Sequence, residues 1–61
     1  MRHAEFVYLE LGRKLERATC NAQARDVSWD IRYKIAQEEP EDRAEAKRLV
    51  DRGRQEIRRG S

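Results

Sequence analysis

The chain has almost none of the residues that stabilise very small proteins through disulfides or bound zinc. Its 61 residues include one cysteine, Cys20, and one histidine, His3. One cysteine cannot form a disulfide within the chain, and these two residues cannot supply the four Cys and His ligands of a structural zinc site. Because a chain this short buries only a modest share of its surface, its stability has to come from helix packing or from a partner.

Patterns on which enzymes depend are missing as well. The sequence has no phosphate-binding glycine loop and no Ser/His/Asp set. A nucleophilic Cys20 would need a nearby base, and only His3 offers an imidazole. Acidic pairs such as Glu38 and Glu39 suit solvated helix ends, whereas a general acid needs a sheltered pocket to tune its pKa. We therefore predict a protein that is not an enzyme, uses no cofactor and binds no metal.

Long apolar runs and a charge of one sign are also lacking. No apolar run approaches the about 20 residues of a membrane-spanning helix, so no membrane contact is expected, and nothing indicates a cellular location. Fourteen basic residues are interspersed with twelve acidic ones, for a net charge of +2. Mixed charges of this kind are typical of a solvated surface.

Arginines crowd the last third of the chain, which raises nucleic-acid binding as an alternative function. A face that tracks phosphates carries one sign of charge. Here acids are interleaved at the spacing of intrahelical ion pairs, namely Glu45 with Arg48, Asp51 with Arg54, and Glu56 with Arg59. This spacing favours a charged outer helix face, and we expect no nucleic-acid partner.

Helices are the only regular structure that the pattern supports, since nothing alternates with period two. Pro40 fits the first turn of a helix, which predicts a helix over about 40–58. Thr19 or Asn21 is suited to cap a second helix, giving helices over about 2–18 and 21–38. The prediction is one all-α domain over residues 1–61, a small antiparallel three-helix bundle. Asp26 and Ser28 are rival caps, which would lengthen the first helix and shorten the second. The alternative fold is a two-helix hairpin with a long first helix.

Each predicted helix has one apolar stripe spaced at three and four residues, as a core-facing side requires. The stripes consist of Ala4, Val7, Tyr8, Leu11, Leu15 and Ala18; of Cys20, Ala24, Val27, Ile31 and Ile35; and of Ala46, Leu49, Val50, Gly53 and Ile57. Gly53 and Ala46 indicate a close helix crossing. Gly12 either allows such an approach or is simply tolerated within its helix.

The first two helices carry further apolar residues roughly opposite these stripes. A monomeric bundle needs only one stripe per helix, and exposed aromatic patches usually mark interaction sites. Trp, Tyr and Arg are also the residue types that most often dominate binding energy at interfaces. The sequence therefore predicts a partner-binding face made of Phe6, Leu9, Arg13, Trp29, Arg32, Tyr33 and Ala36.

Over its whole length the chain resembles computationally designed three-helix mini-protein binders. The similarity lies in three near-equal helices, in the helix start Pro40-Glu41-Asp42, and in the charged support helix Arg43-Ala44-Glu45-Ala46-Lys47-Arg48-Leu49-Val50. It implies a protein-binding module whose third helix is support. The implied target is a folded protein surface, such as a receptor ectodomain or a viral surface glycoprotein, which the module would inhibit by occupancy. The alternative is a homodimer that buries the same face.

Overall fold

The computed structural model describes residues 2–60, with side chains from Glu5 to Gly60. Three helices follow one another: α1 (Arg2–Arg17), α2 (Asn21–Ala36) and α3 (Pro40–Gly60). The all-α three-helix bundle is thus confirmed, and the break at residues 18–20 rules out the two-helix hairpin. The predicted ends differ from the observed ones by one or two residues. The side chains of His3 and Ala4 lie outside the described residues.

The start of α2 uses a different cap from the predicted Thr19 or Asn21. Its N-cap is Cys20, whose backbone is extended and whose side chain makes no capping hydrogen bond. Instead, the side chain of Gln23 reaches back and accepts hydrogen bonds from the Thr19 backbone N–H at 3.0 Å and from its hydroxyl at 3.2 Å. The third residue of the helix therefore secures the loop, much as in a capping box.

The connection from α2 to α3 is short and is held by one arginine. Arg43 donates from Nε to the carbonyl oxygen of Glu38 at 3.2 Å and from Nη2 to that of Ala36 at 3.3 Å. The last carbonyls of a helix lack intrahelical partners, so Arg43 satisfies the Ala36 carbonyl at the end of α2 and also binds the loop carbonyl of Glu38. Pro40 begins α3 as predicted, in the first turn, where its missing N–H is not needed.

The tightest contact in the bundle is between the first and last helices, α1 and α3. A Cβ atom built on Gly12 would lie 2.1 Å from the backbone oxygen of Val50, and one built on Gly53 would lie 2.2 Å from that of Leu9. Neither position has room for a side chain. The close crossing predicted from Gly53 is therefore confirmed, and the structure assigns Gly12 to the same contact. We call this contact between α1 and α3 at Gly12 and Gly53 the glycine crossing.

The core is small and is shared by all three helices. Its buried members are Tyr8, Leu11, Ile31, Ile35, Ala46, Leu49 and Val50, with Leu9, Leu15 and Val27 packed against them. Tyr8 is the largest of the buried residues and is only 2% exposed. A core of this size is typical of a marginally stable domain.

Among the predicted core residues whose side chains the structure describes, two are exposed. Cys20 is exposed, because it forms the N-cap in the loop before α2. Val7 is 38% exposed. The glycine crossing draws the Leu9 side of α1 toward α3, and Val7 lies about 200° around the helix from Leu9 at 100° per residue. Leu11 lies on the same side as Val7 and is buried, so Val7 marks the edge of the core, where it lines the depressions beside Phe6 and beside Lys34.

Candidate functional site

Between Glu5 and Gly60, three large apolar side chains are strongly exposed. Phe6 is 64% exposed, Trp29 is 61% and Tyr33 is 65%. Their predicted position away from the core is confirmed. Exposing aromatic side chains is unfavourable in water, and clustered exposed apolar residues commonly mark an interaction site.

Trp29 and Tyr33 belong to one continuous side of α2, which we call the α2 aromatic face. Residues three and four apart are neighbours on a helix, and this face consists of Arg25, Trp29, Arg32, Tyr33 and Ala36, all of them exposed. The guanidinium carbon of Arg32 lies 5.6 Å from the centroid of the Trp29 ring, within cation–π range. A shallow depression beside the ring is lined by Arg25, Ser28, Trp29 and Arg32.

The opposite side of α2 explains why this face points to solvent. Ile31 and Ile35 are the buried residues of α2, and each lies about 200° around the helix from Trp29 and Tyr33 respectively. Burying the two isoleucines therefore turns the two aromatic rings outward. Thus α2 has a buried apolar side, which packs in the core, and an exposed aromatic side.

Leu9 and Arg13 are not part of an outer face, and their predicted position opposite the core is wrong. Leu9 is half-buried and packs against the core. Arg13 donates from Nη2 to Oε1 of Glu56 on α3 at 2.7 Å and from Nη1 to Oε1 of Glu10 at 3.1 Å. The glycine crossing causes both placements, because it brings this side of α1 against α3. Leu9 and Arg13 are therefore engaged within the bundle.

The exposed Phe6 belongs to α1, whereas the α2 aromatic face belongs to another helix. The depression beside it is lined by Phe6, Val7, Glu10, Leu11 and Lys14, all from α1. Two further depressions span α1 and α2. One is lined by Val7, Tyr8, Lys34, Gln37 and Glu38, and the other by Lys14, Arg17, Ala18, Gln23 and Val27. None of these four depressions is lined by both Phe6 and Trp29. We call the residues that line the depression at Phe6 the α1 patch, and we describe it separately from the α2 aromatic face.

Ion pairs between α1 and α3 border the glycine crossing. Glu16 accepts from Nε of Arg54 at 3.0 Å and from Nε of Arg58 at 2.9 Å. These hydrogen bonds, Arg58 first, lower the pKa of Glu16. On the other side of Gly53, the hydrogen bond from Arg13 lowers the pKa of Glu56. Both carboxylates are thus charged in the folded state at neutral pH.

The predicted intrahelical ion pairs are only partly present. Glu45 pairs with Arg48 as expected. Arg54 instead pairs with Glu16 and Glu56 with Arg13, both across the α1–α3 contact. Sequence spacing alone could not separate the two arrangements, because a charged residue beside a helix contact can reach a partner on either helix.

A buried hydroxyl missed by the sequence analysis joins α1 to α2. The Tyr8 hydroxyl lies 3.0 Å from the carbonyl oxygen of Lys34 and 2.9 Å from Oε2 of Glu38, and its proton can be donated to either. Burial, followed by the hydrogen bond to Glu38, raises the pKa of Tyr8 to about 12. The signal in the sequence was a tyrosine on the core stripe, since a buried phenol needs a polar partner.

The described residues show neither a metal cluster nor a helix suited to a bilayer. Between residues 5 and 60, no group of three or more His, Cys, Asp or Glu side chains is arranged to hold a metal ion. In the same part of the chain, no helix is both long and apolar enough to cross a membrane.

Comparison of the chain with protein-family models, with curated proteins and with solved structures gave no match. Its function therefore has to be inferred from its own residues.

Proposed function

We propose that this protein is a protein-binding module that contacts its partner through the α2 aromatic face. The observation that carries the proposal is the exposure of Trp29 and Tyr33, at 61% and 65%, on one side of a single helix. Tryptophan and tyrosine bring large apolar area together with a polar group. Both are among the residues whose truncation most often costs more than about 2 kcal/mol at interfaces.

The surroundings of Trp29 indicate the chemistry of the partner. Arg25 and Arg32 line the depression beside the indole ring, and Arg32 lies against the ring itself. An apolar pocket bordered by carboxylates would accept the ring and pair with the two guanidinium groups, which form planar, multi-donor contacts with carboxylates. The partner is thus a folded protein with such a pocket.

The resemblance to designed mini-protein binders suggests how the module acts. A receptor ectodomain or a viral surface glycoprotein would be blocked by occupancy, with no reaction at the interface. In such a module α3 would be the support helix. It would support the module by holding α1 in place through the glycine crossing. The patch around Phe6 offers a second, smaller contact to a partner that reaches around α1.

The test is binding to a panel of purified receptor ectodomains and viral surface glycoproteins, with the intact chain displayed on an optical biosensor. We expect the wild type to bind a panel member that presents an acidic-rimmed pocket. Trp29→Ala should weaken that binding by about 30-fold or more, the size of an interface hot spot. Gln55→Ala is the matched control, because Gln55 is an exposed residue of α3.

Circular dichroism of both variants shows whether a loss of binding comes from a loss of helical structure. Unchanged helicity with lost binding in Trp29→Ala supports the α2 aromatic face. Equal weakening in Trp29→Ala and Gln55→Ala, or unchanged binding in Trp29→Ala, would exclude it. A complex that persists in Trp29→Ala but dissociates steeply with added salt would favour an electrostatic, nucleic-acid-like mode of binding instead.

A further inference from the structure

The carboxyl-terminal half of α2 is firmly attached to the bundle. It contains the buried residues of the helix, Ile31 and Ile35. The Tyr8 hydroxyl lies 3.0 Å from the carbonyl oxygen of Lys34, and Arg43 donates to the carbonyl oxygen of Ala36 at 3.3 Å. Apolar and polar contacts therefore both hold this half in place.

The amino-terminal half, residues 21–28, is attached far more weakly. Every residue in it is exposed or half-buried, and Val27 is its one side chain packed against the core. The N-cap Cys20 makes no side-chain capping bond, and the Gln23 side chain bonds back to the adjacent loop residue Thr19. Across the part of the chain that the structure describes, the ion pairs between different helices connect α1 with α3.

An open depression also lies between this half and the end of α1. The depression between them is lined by Lys14, Arg17, Ala18, Gln23 and Val27. Few buried apolar contacts and solvent-exposed backbone hydrogen bonds are the physical conditions for local unfolding. A helical stretch this short has little stability of its own in water, so its order depends on contacts that are sparse here.

We propose that residues 21–28 open and close as a local unit while the rest of the bundle stays folded. Opening withdraws Val27 from the core and leaves Ile31 and Ile35 in place. The unit ends directly before Trp29, so Trp29, Arg32, Tyr33 and Ala36 keep their anchor during opening, whereas Arg25 moves with the unit. The loop and the first half of α2 thus form a hinged segment that carries Arg25 and adjoins the other residues of the α2 aromatic face. This inference does not depend on the proposed partner.

The test is amide hydrogen exchange of the intact chain, resolved by residue with NMR, in the wild type and two matched variants. Ala24→Gly weakens the helix inside residues 21–28, and Ala44→Gly makes the same change near the start of α3. In the wild type, amides of residues 24–28 should exchange much faster than those of residues 31–36 and of the middle of α1 and α3. Ala24→Gly should speed exchange in residues 24–28 by about fivefold, the factor that the glycine helix penalty corresponds to.

Ala44→Gly decides whether the opening is local. If it is, this variant leaves exchange in residues 24–28 unchanged while the slowest amides of α1 and α3 exchange faster. If the whole bundle instead unfolds as one cooperative unit, exchange should be uniform across the chain. In that case the amides of residues 24–28 share the protection of the core amides, and both variants speed all of them by similar factors. That outcome would overturn the proposal, and it would leave the binding role of Trp29 to be judged by its own test.

Discussion

At the scale of single residues, Gly12 shows most directly how backbone packing limits this sequence. Replacing glycine by alanine inside a helix normally stabilises it by about 1 kcal/mol. At Gly12 the added Cβ would lie 2.1 Å from the backbone oxygen of Val50, which no side-chain rotation can relieve. Overpacking typically costs about 1–3 kcal/mol, and a clash with backbone atoms falls in the upper part of that range, about 2–3 kcal/mol. The clash outweighs the gain in helix propensity, because α1 and α3 would have to separate.

We therefore expect Gly12→Ala to lower the free energy of unfolding by about 1–2 kcal/mol in urea denaturation. Gly60→Ala is the control, since a Cβ there meets nothing within 4 Å, and it should leave the unfolding midpoint nearly unchanged. If Gly12→Ala instead unfolded at a higher urea concentration than the wild type, α1 and α3 would not cross as closely as the structure has them.

Single residues also show where the sequence could predict whether a side chain is buried or exposed. Trp29 and Tyr33 lie opposite Ile31 and Ile35 whatever the neighbours of α2 do, because helical spacing alone sets that relation. Leu9 and Val7 are different. Helical spacing places Val7 on the side of Leu11 and Leu9 on the opposite side, yet Leu9 is half-buried and Val7 is exposed, because α3 approaches closely on the Leu9 side. That approach depends on two glycines far apart in the chain, Gly12 and Gly53, whose pairing no local pattern reveals.

At the scale of elements, the helices are joined in two different ways. Between α1 and α3 the contact consists of a backbone crossing with ion pairs such as Arg13 with Glu56 and Glu16 with Arg54. Between α1 and α2 it depends on the Tyr8 hydroxyl and a few isoleucine contacts. The start of α3 could be predicted from the sequence, because Pro40 marks it locally. The relative strength of the α1–α3 and α1–α2 contacts could not, because it depends on how the helices pack together.

The Tyr8 link makes the attachment of α2 sensitive to alkaline pH. In the folded state the pKa of Tyr8 is about 12, against 10.0 for a free phenol. A raised pKa means that the neutral hydroxyl is the form stabilised by folding. Its contribution is therefore complete below about pH 10 and is lost as the pH rises toward 12. By about pH 11.5 the loss in unfolding free energy should reach about 2 kcal/mol.

Urea denaturation at about pH 8 and about pH 11.5, in the wild type and in Tyr8→Phe, measures this contribution. Tyr8→Phe should be less stable near pH 8 by about 1 kcal/mol, the usual value of a lost hydrogen bond. It should also lose less stability than the wild type on going to the higher pH, since titration of lysine and the other groups is common to both proteins. Parallel losses in the two proteins would show that the Tyr8 hydroxyl is not held as the structure indicates.

At the scale of the whole molecule, the question is whether the exposed aromatic side chains stay exposed in solution. The fold leaves Trp29 at 61% exposure, and a second copy of the chain is one partner able to cover it. Apolar surface is costly to leave in water, at roughly 25 cal/mol per Å², so a homodimer would have a clear driving force. A module that waits for another protein must instead resist self-association, and the mixed charges on the surrounding surface favour that.

Emission from Trp29, the single tryptophan, measured together with mass by light scattering over a concentration series, separates these states. We expect a monomer at every concentration, with red-shifted emission that a soluble quencher reduces readily, because the indole contacts Arg32 and solvent. Emission that turns blue and protected as the mass doubles would mean that the chain binds itself through the α2 aromatic face. Blue, protected emission from a monomer would place the indole inside the bundle. Ile31 and Ile35 would then have to turn outward, and the division of α2 into an anchoring side and a binding side would fail.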